Sequence, residues 1–203
     1  MGYCNLDKVI YDGIGEYDIP EIEPFKGDVN VKGWLSFNYC KQLNYCKEET
    51  GCFFYIDDYQ FETLWNHPNK YIENLKNCGA VISPDFSVYT DFPKAIQVYN
   101  VYRNMWLTRF YQDRGVKIIP NVTWSISEDE RDYLWELECY PKNSVIAVSI
   151  IGGLQFKDVF IQNYNRMLEI LKPKKILIFS MTDNPIELKG NVEYVRIRRF
   201  KKE

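Results

Sequence analysis

The chain is poor in histidine, lacks any long hydrophobic run and carries no low-complexity segment, and each absence removes a class of function. A single histidine, His67, in 203 residues stands in a helical stretch beside Pro68, poorly placed for a serine-histidine triad. No apolar run approaches the ~18 residues a membrane span needs, and the N-terminus lacks the basic start and apolar core of a secretory signal. We therefore expect a cytoplasmic protein with no membrane partner, and Leu6, where a myristoylation signal has serine or threonine, argues against that anchor. No Gly/Pro/Ser-rich linker or charge block divides the sequence, so residues 1–203 read as one domain. Neither a Gly-x-Gly-x-x-Gly pattern nor a phosphate-loop lysine occurs. The net charge of -3 argues against a general nucleic-acid coat.

Paired cysteine ligands are also missing. Six cysteines permit disulfides, but Cys52, Cys78 and Cys139 stand in apolar settings and nothing indicates export, so reduced, buried thiols are expected. Cys40, Cys46 and Cys52 recur with five residues between them, wider than the two to four of common zinc motifs, and no metal site is read from them.

What is present is an alternation of apolar strands and amphipathic helices. Turn signals at Tyr11–Gly15 and Ile19–Pro24 make residues 1–30 an irregular arm. Strands are expected at Gly33–Tyr39, Cys52–Ile56, Ala80–Ser83, Val116–Ile119, Ser144–Ile151, Lys175–Ser180 and Val192–Ile197. Helices are expected around Phe61–Leu75, broken near His67-Pro68, from Pro93 through Phe110, over Glu128–Cys139 and from Phe160 to Leu171. Strands buried on both faces and separated by helices indicate parallel βαβ units. The expected fold is α/β, a mostly parallel sheet of about six or seven strands forming a partial or distorted TIM-like barrel.

Ligands in such folds gather beyond the carboxyl ends of the strands, and there the sequence turns polar. One end offers Asn38; the next offers Asp57, Asp58, Tyr59 and Glu62. Adjacent carboxylates on an extended segment face opposite ways, so Asp57 is the better pocket candidate, while Asp58 reads equally as a helix cap and as a ligand contact. Asp57, Glu62 and Asp85 are the candidate acids and bases, and such carboxylates also offer oxygen ligands to a divalent cation. Ser87 and Tyr89 follow Asp85, while Asn121 and Trp124 follow the next strand, the indole suited to stacking on a flat ligand. Gly152-Gly153 opens toward a helix, a setting in which backbone N–H groups cradle phosphate, and Arg103 is a further phosphate partner. Gln97, Asn100 and Asn104 share the less apolar side of that helix and read as solvated. The basic run Val195–Lys202 reads first as an edge strand protected against pairing and second as a nucleic-acid contact.

The segments Asp57-Asp58-Tyr59-Gln60-Phe61-Glu62, Ser83-Pro84-Asp85-Phe86-Ser87, Tyr89-Thr90-Asp91, Asn100-Val101-Tyr102-Arg103-Asn104 and Trp124-Ser125 resemble the DUF4417 family, uncharacterised proteins of bacteria, archaea and their viruses. The resemblance covers about residues 34–180 and implies a phage or mobile-element setting, without a reaction or cofactor. Combined with the strand ends, the expectation is a protein that binds a phosphorylated, nucleotide-like ligand and sequesters or cleaves it, an anti-defence role in the host cytoplasm being one use. Cleavage would act on phosphoester or glycosidic bonds. The alternatives are a nucleic-acid-binding replication or recombination factor and a protein-interaction module.

Overall fold

Alternating strands and helices are present in the computed structural model, which describes residues 8–182 and 186–197. The N-terminal arm is more ordered than its turn signals suggest. β1 (Gly13–Ile14) and β2 (Ile19–Pro20) pair antiparallel, and Ile19 and Ile22 are buried in the core. Phe25 then bridges Val145.

β3 (Gly33–Ser36) turns directly into α1 (Phe37–Cys40), so the expected first strand ends where Phe37 and Cys40 become fully buried on a helix. β4 (Thr50–Phe53) is followed by α2 (Glu62–Asn66), a 3-10 turn begun by Pro68, and α3 (Ile72–Asn77). The break falls at His67-Pro68 because proline has no N–H to continue a helical ladder. β5 (Ala80–Ile82), α4 (Lys94–Gln112), β6 (Ile118–Ile119), α5 (Glu130–Glu138) and β7 (Val145–Ser149) come next. α6 (Lys157–Leu171), β8 (Lys175–Ser180) and β9 (Val192–Arg196) complete the described chain. The tail beyond Ile197 lies outside the described residues, so the basic-run reading reaches no structural outcome.

The expected single sheet is two parallel sheets, of four strands in the order β3-β4-β5-β6 and three in the order β7-β8-β9. One parallel bridge, Asn121 to Ala147, links them, with the Val122 N–H donating to the Ala147 carbonyl at 2.8 Å. No closed barrel forms among the described residues. β6 is only two residues long, and Pro120 beyond it has no N–H to extend a ladder.

The inner faces of the two sheets nevertheless meet. Phe53, Ala80, Ile82, Ile119, Ala147, Leu177 and Phe179, drawn from five strands, form one buried cluster. The Phe179 ring on β8 lies 5.1 Å from Trp34 on β3 and 4.9 Å from Tyr55. Outside the sheets, α4 divides its apolar residues between two further clusters, Trp106 and Phe110 in one, Val101 and Met105 in the other.

The polar side of α4 is buried rather than solvated. Gln97 donates to the carbonyls of Tyr89, Thr90 and Phe92 at 3.1, 3.3 and 2.8 Å. Asn100 donates to the Ser87 carbonyl at 2.6 Å, and Asn104 both accepts from the Phe86 N–H and donates to the Phe86 carbonyl. Three amides at helical spacing thus saturate the backbone of a loop that has no sheet to pair with, satisfying groups that would be costly to bury bare.

Candidate functional site

The loop held by α4 forms one wall of a cavity of ≈ 650 Å³ beyond the carboxyl ends of β5, β6 and β7. Asp85, Ser87 and Tyr89 come from that loop, Asn121 and Trp124 from the segment after β6, and Gly152 and Gly153 from the turn after β7. The predicted strand-end residues therefore converge from three separate segments. Thr90, Asp91, Thr123, Ser149 and Gln155 join the lining, none of them among the expected ligand contacts.

Asp85 is the chemically distinctive member. Asn121 donates to its Oδ1 at 2.7 Å and in turn accepts from the Tyr55 hydroxyl at 2.8 Å. The Asn121 backbone N–H is held by Ser83 Oγ at 2.8 Å. Burial pushes the Asp85 carboxyl up to about 7; the Asn121 hydrogen bond opposes that rise and the charge of Asp58 adds to it. Near neutral pH Asp85 is thus divided between acid and carboxylate, the range that suits a group exchanging a proton. Burial likewise raises Tyr55 well above the usual phenol range, keeping it a neutral donor to Asn121.

Trp124 is 5% exposed, stacks on Phe160 with ring centroids 5.5 Å apart, and lines the cavity. Its indole Nε1 is buried without a hydrogen-bond partner. Opposite chemistry comes from the glycines. Gly152 has φ +85°, a left-handed conformation that glycine adopts without strain, and it precedes a 3-10 turn, Gly153–Phe156, that runs straight into α6. A Cβ on Gly153 would meet the Phe160 ring at 3.0 Å. No side chain caps either helical start, so the leading N–H groups of this continuous helical run have no side-chain acceptor.

The acids of the first expected cluster stand elsewhere. Asp57 is exposed, at the N-cap position of the Asp58–Gln60 turn, and accepts from Gln60 Nε2 at 2.9 Å. Asn38 bonds Gln60 as well, and Lys41 donates to Asn38 and to the Gln60 carbonyl, so Asn38 belongs to this surface group outside the cavity. Asp58 reaches the next strand end instead of capping its own helix: it accepts from the Ser87 N–H at 3.1 Å and from Ser87 Oγ at 2.9 Å. Neither carboxylate lines the cavity, and the Asp57 side chain, though at the N-cap position, makes no cap hydrogen bond. The alternation argument assumed extended backbone, and the chain has already entered a 3-10 turn at Asp58. Tyr59 is 78% exposed and does not line the cavity.

Glu62 and Arg103 are occupied with each other. Arg103 Nη1 meets both Glu62 oxygens at 2.9 and 3.1 Å, Nη2 donates to Asn100 at 2.6 Å, and the guanidinium lies 3.6 Å from the Phe86 ring centroid. Neither residue lines the cavity. Their pairing anchors α2 to α4 and, through Asn100 and the Ser87 carbonyl, braces the wall of the site. The cavity lining among described residues contains no lysine or arginine.

One buried acid escaped the sequence reading. Glu136 on α5 is fully buried and accepts from the Ser125 N–H at 2.5 Å and Ser125 Oγ at 2.9 Å, fixing the segment just after Trp124. Desolvation raises its carboxyl to about 7 against those hydrogen bonds. The polar stripe Gln97, Asn100 and Asn104 was detectable, since polar residues spaced three and four apart share a helix face; Glu136 carried no comparable signal.

The Gene 1 protein of Mycobacterium phage L5 is 28% identical to this chain over 176 residues, covering 85% of the chain and 75% of that protein. The Gene 1 protein of Mycobacterium phage D29 is 27% identical over 177 residues, covering 85% of the chain and 63% of its own length. The chain thus spans less than two thirds of the D29 protein. These relatives, products of phage genes, support a phage-associated protein. No solved structure matches the chain. The pattern of a domain of unknown function, DUF4417, matches residues 11–201, nearly the whole sequence, and the protein belongs to that family.

Proposed function

We propose that the protein is a phage-associated ligand-binding protein whose cavity takes a small nucleotide-like molecule, one flat ring with a single phosphate. The observation that carries this reading is the buried Trp124 Nε1, a donor without a partner in the wall of a ≈ 650 Å³ cavity. An orphaned N–H of this kind costs ~1–3 kcal/mol, and a ligand acceptor that the indole turns to meet removes that cost. The cavity volume lies within the ~300–1,000 Å³ of small-molecule sites.

Charge narrows the ligand. With no basic side chain in the described lining, a phosphate would rest on the Gly152–Gly153 turn and the N-terminus of α6. Protonation of Asp85 eases the approach of an anion, and its carboxyl, held by Asn121, is the natural contact for a sugar hydroxyl or a ring nitrogen. If the bound molecule is cleaved, Asp85 is the proton donor to the leaving oxygen or nitrogen. Sequestration needs the same pocket without a positioned nucleophile. The meeting of Trp34 with Phe179 across the two sheets supports reading the fold as an opened TIM-like barrel, in which strand carboxyl ends carry the site.

The test is a thermal-shift and calorimetric screen against nucleoside monophosphates, cyclic nucleotides and magnesium. A ligand that stabilises wild type and Asp57→Asn, and fails to stabilise Trp124→Phe, is the expected result. Absence of any ligand effect in wild type, or equal effects in Trp124→Phe, would overturn the reading.

A further inference from the structure

A second constellation lies among α1, the turn after it and α3, and none of its residues lines the cavity. Cys40 ends α1, Cys46 follows the 3-10 turn Leu43–Tyr45, and Cys78 follows α3. Their three sulfur atoms lie within 4.8 Å of one another, and all three residues are buried. Cys52 on β4, fully buried, has its thiol beside Cys40. From the spacing Cys40, Cys46 and Cys52 none of this is legible, because the third sulfur of the cluster arrives from Cys78, 32 residues after Cys46.

We propose that Cys40, Cys46 and Cys78 bind a zinc ion as thiolates, leaving the fourth position to a ligand outside this cluster of three sulfurs. A tetrahedral zinc with arms of ~2.3 Å sets its sulfurs about 3.8 Å apart, a separation the cluster reaches by side-chain adjustments of less than an ångström or so. None of these cysteines is in a disulfide. Four-iron clusters hold their thiolates farther apart than a single ion does, so the tight grouping selects a mononuclear site.

The surroundings suit a structural site. Asn74 on α3 donates to the carbonyls of Cys40 and Lys41 at 3.0 and 3.1 Å, fixing the backbone that carries one ligand against the helix that leads to another. As thiols these residues use local acceptors, Cys46 donating to the Cys40 carbonyl at 3.2 Å and Cys78 to the Asn74 carbonyl at 3.5 Å. Zinc binding releases these protons and replaces three weak donors with strong bonds that tie two loops to one helix end. The site is closed, with hydrophobic neighbours Phe37, Leu75 and Tyr71 in the same cluster, which fits a metal that holds the fold rather than one that meets substrate.

The experiment is metal analysis of the full chain purified without chelator from zinc-supplemented culture. About one zinc per chain, retained on dialysis and lost in Cys46→Ser and in Cys78→Ser but kept in Cys139→Ser, is expected. Because a serine variant that fails to fold also loses metal, cobalt is added to stripped wild-type protein: intense thiolate-to-metal absorption with tetrahedral visible bands is expected. Wild type with no stoichiometric metal and only weak octahedral cobalt bands overturns the proposal. So does stoichiometric iron with sulfide, or a metal-free chain whose mass under non-reducing conditions reveals a disulfide among these cysteines.

Discussion

Asn121 joins the two sheets and the candidate site in one residue: its backbone bridges Ala147 on β7, and its side chain donates to Asp85 at 2.7 Å. Whatever changes the alignment of the sheets therefore changes the setting of Asp85. Asn121→Asp removes that donor and places a second carboxylate against Asp85, so the Asp85 carboxyl is expected to rise further and both stability and ligand affinity to fall. Titration followed by carboxyl carbon NMR checks the first expectation, and an unchanged Asp85 titration would contradict it.

Asp85 and Glu136 both carry raised carboxyl values, about 7 each, from burial. An unfolded carboxyl titrates near about 4, so between about 4 and 7 the folded state holds more protons than the unfolded state and stability falls as pH rises. Their contribution is complete below the unfolded value and gone above the folded one. Urea unfolding across this window is expected to show a declining midpoint, with the decline flattened in Asp85→Asn and in Glu136→Gln. A rising midpoint, or slopes equal to wild type in both variants, would sink the assignment.

Arg103 is 8% exposed and its Glu62 partner is more open to water, so the pair is worth less than a fully buried one. Arg103→Met leaves Glu62 and Asn100 short of a donor and is expected to cost about 2–3 kcal/mol in denaturant unfolding. Glu62→Gln costs less, about 1 kcal/mol, because the amide still accepts from the guanidinium. A double-mutant cycle reports the coupling, and ligand affinity measured at a temperature where both variants are folded should stay within a few-fold of wild type.

Gly152 tests the turn over the cavity. Its φ of +85° has open space around the missing Cβ, so Gly152→Ala suffers backbone strain alone, about 1–2 kcal/mol. Gly153→Ala strains packing instead, against Phe160, and is expected to disturb the Trp124 stack as well. Tryptophan fluorescence separates the two: the emission of Trp124 should shift in Gly153→Ala and stay put in Gly152→Ala.

Trp124→Phe keeps a ring on Phe160 and deletes the unpaired indole N–H. The substitution should leave the unfolding free energy from urea titration within about 0.5 kcal/mol of wild type, or raise it, since a buried donor without a partner destabilises the free protein. Loss of several kcal/mol would mean that the indole is held for packing alone.

The alternation of elements was legible because apolar runs such as Lys175–Ser180 are buried along most of their length and amphipathic runs such as α6 bury one face, patterns that need only local sequence. The division into two sheets was not, because strand pairing is settled across distant segments: β6 is two residues long and Pro120 ends its ladder. The strand-end rule brought Asp85, Asn121, Trp124 and Gly152 forward, and they do meet. It also brought forward Asp57 and Glu62, whose side chains turn toward Gln60 and toward Arg103.

Residue order by itself determined most of the longer strands and helices, that polar residues fall at strand ends, and that no helix among the described residues is long and apolar enough to cross a membrane. Tertiary structure alone decided partners. It buried the amides of α4 against a loop, paired Arg103 with Glu62, raised Asp85 by removing water, and gathered Cys40, Cys46 and Cys78 from three segments. The physical reason is common to all four: hydrogen bonding, ion pairing, desolvation and thiol clustering depend on which atoms lie within a few ångströms, and local periodicity specifies faces without specifying what those faces will touch.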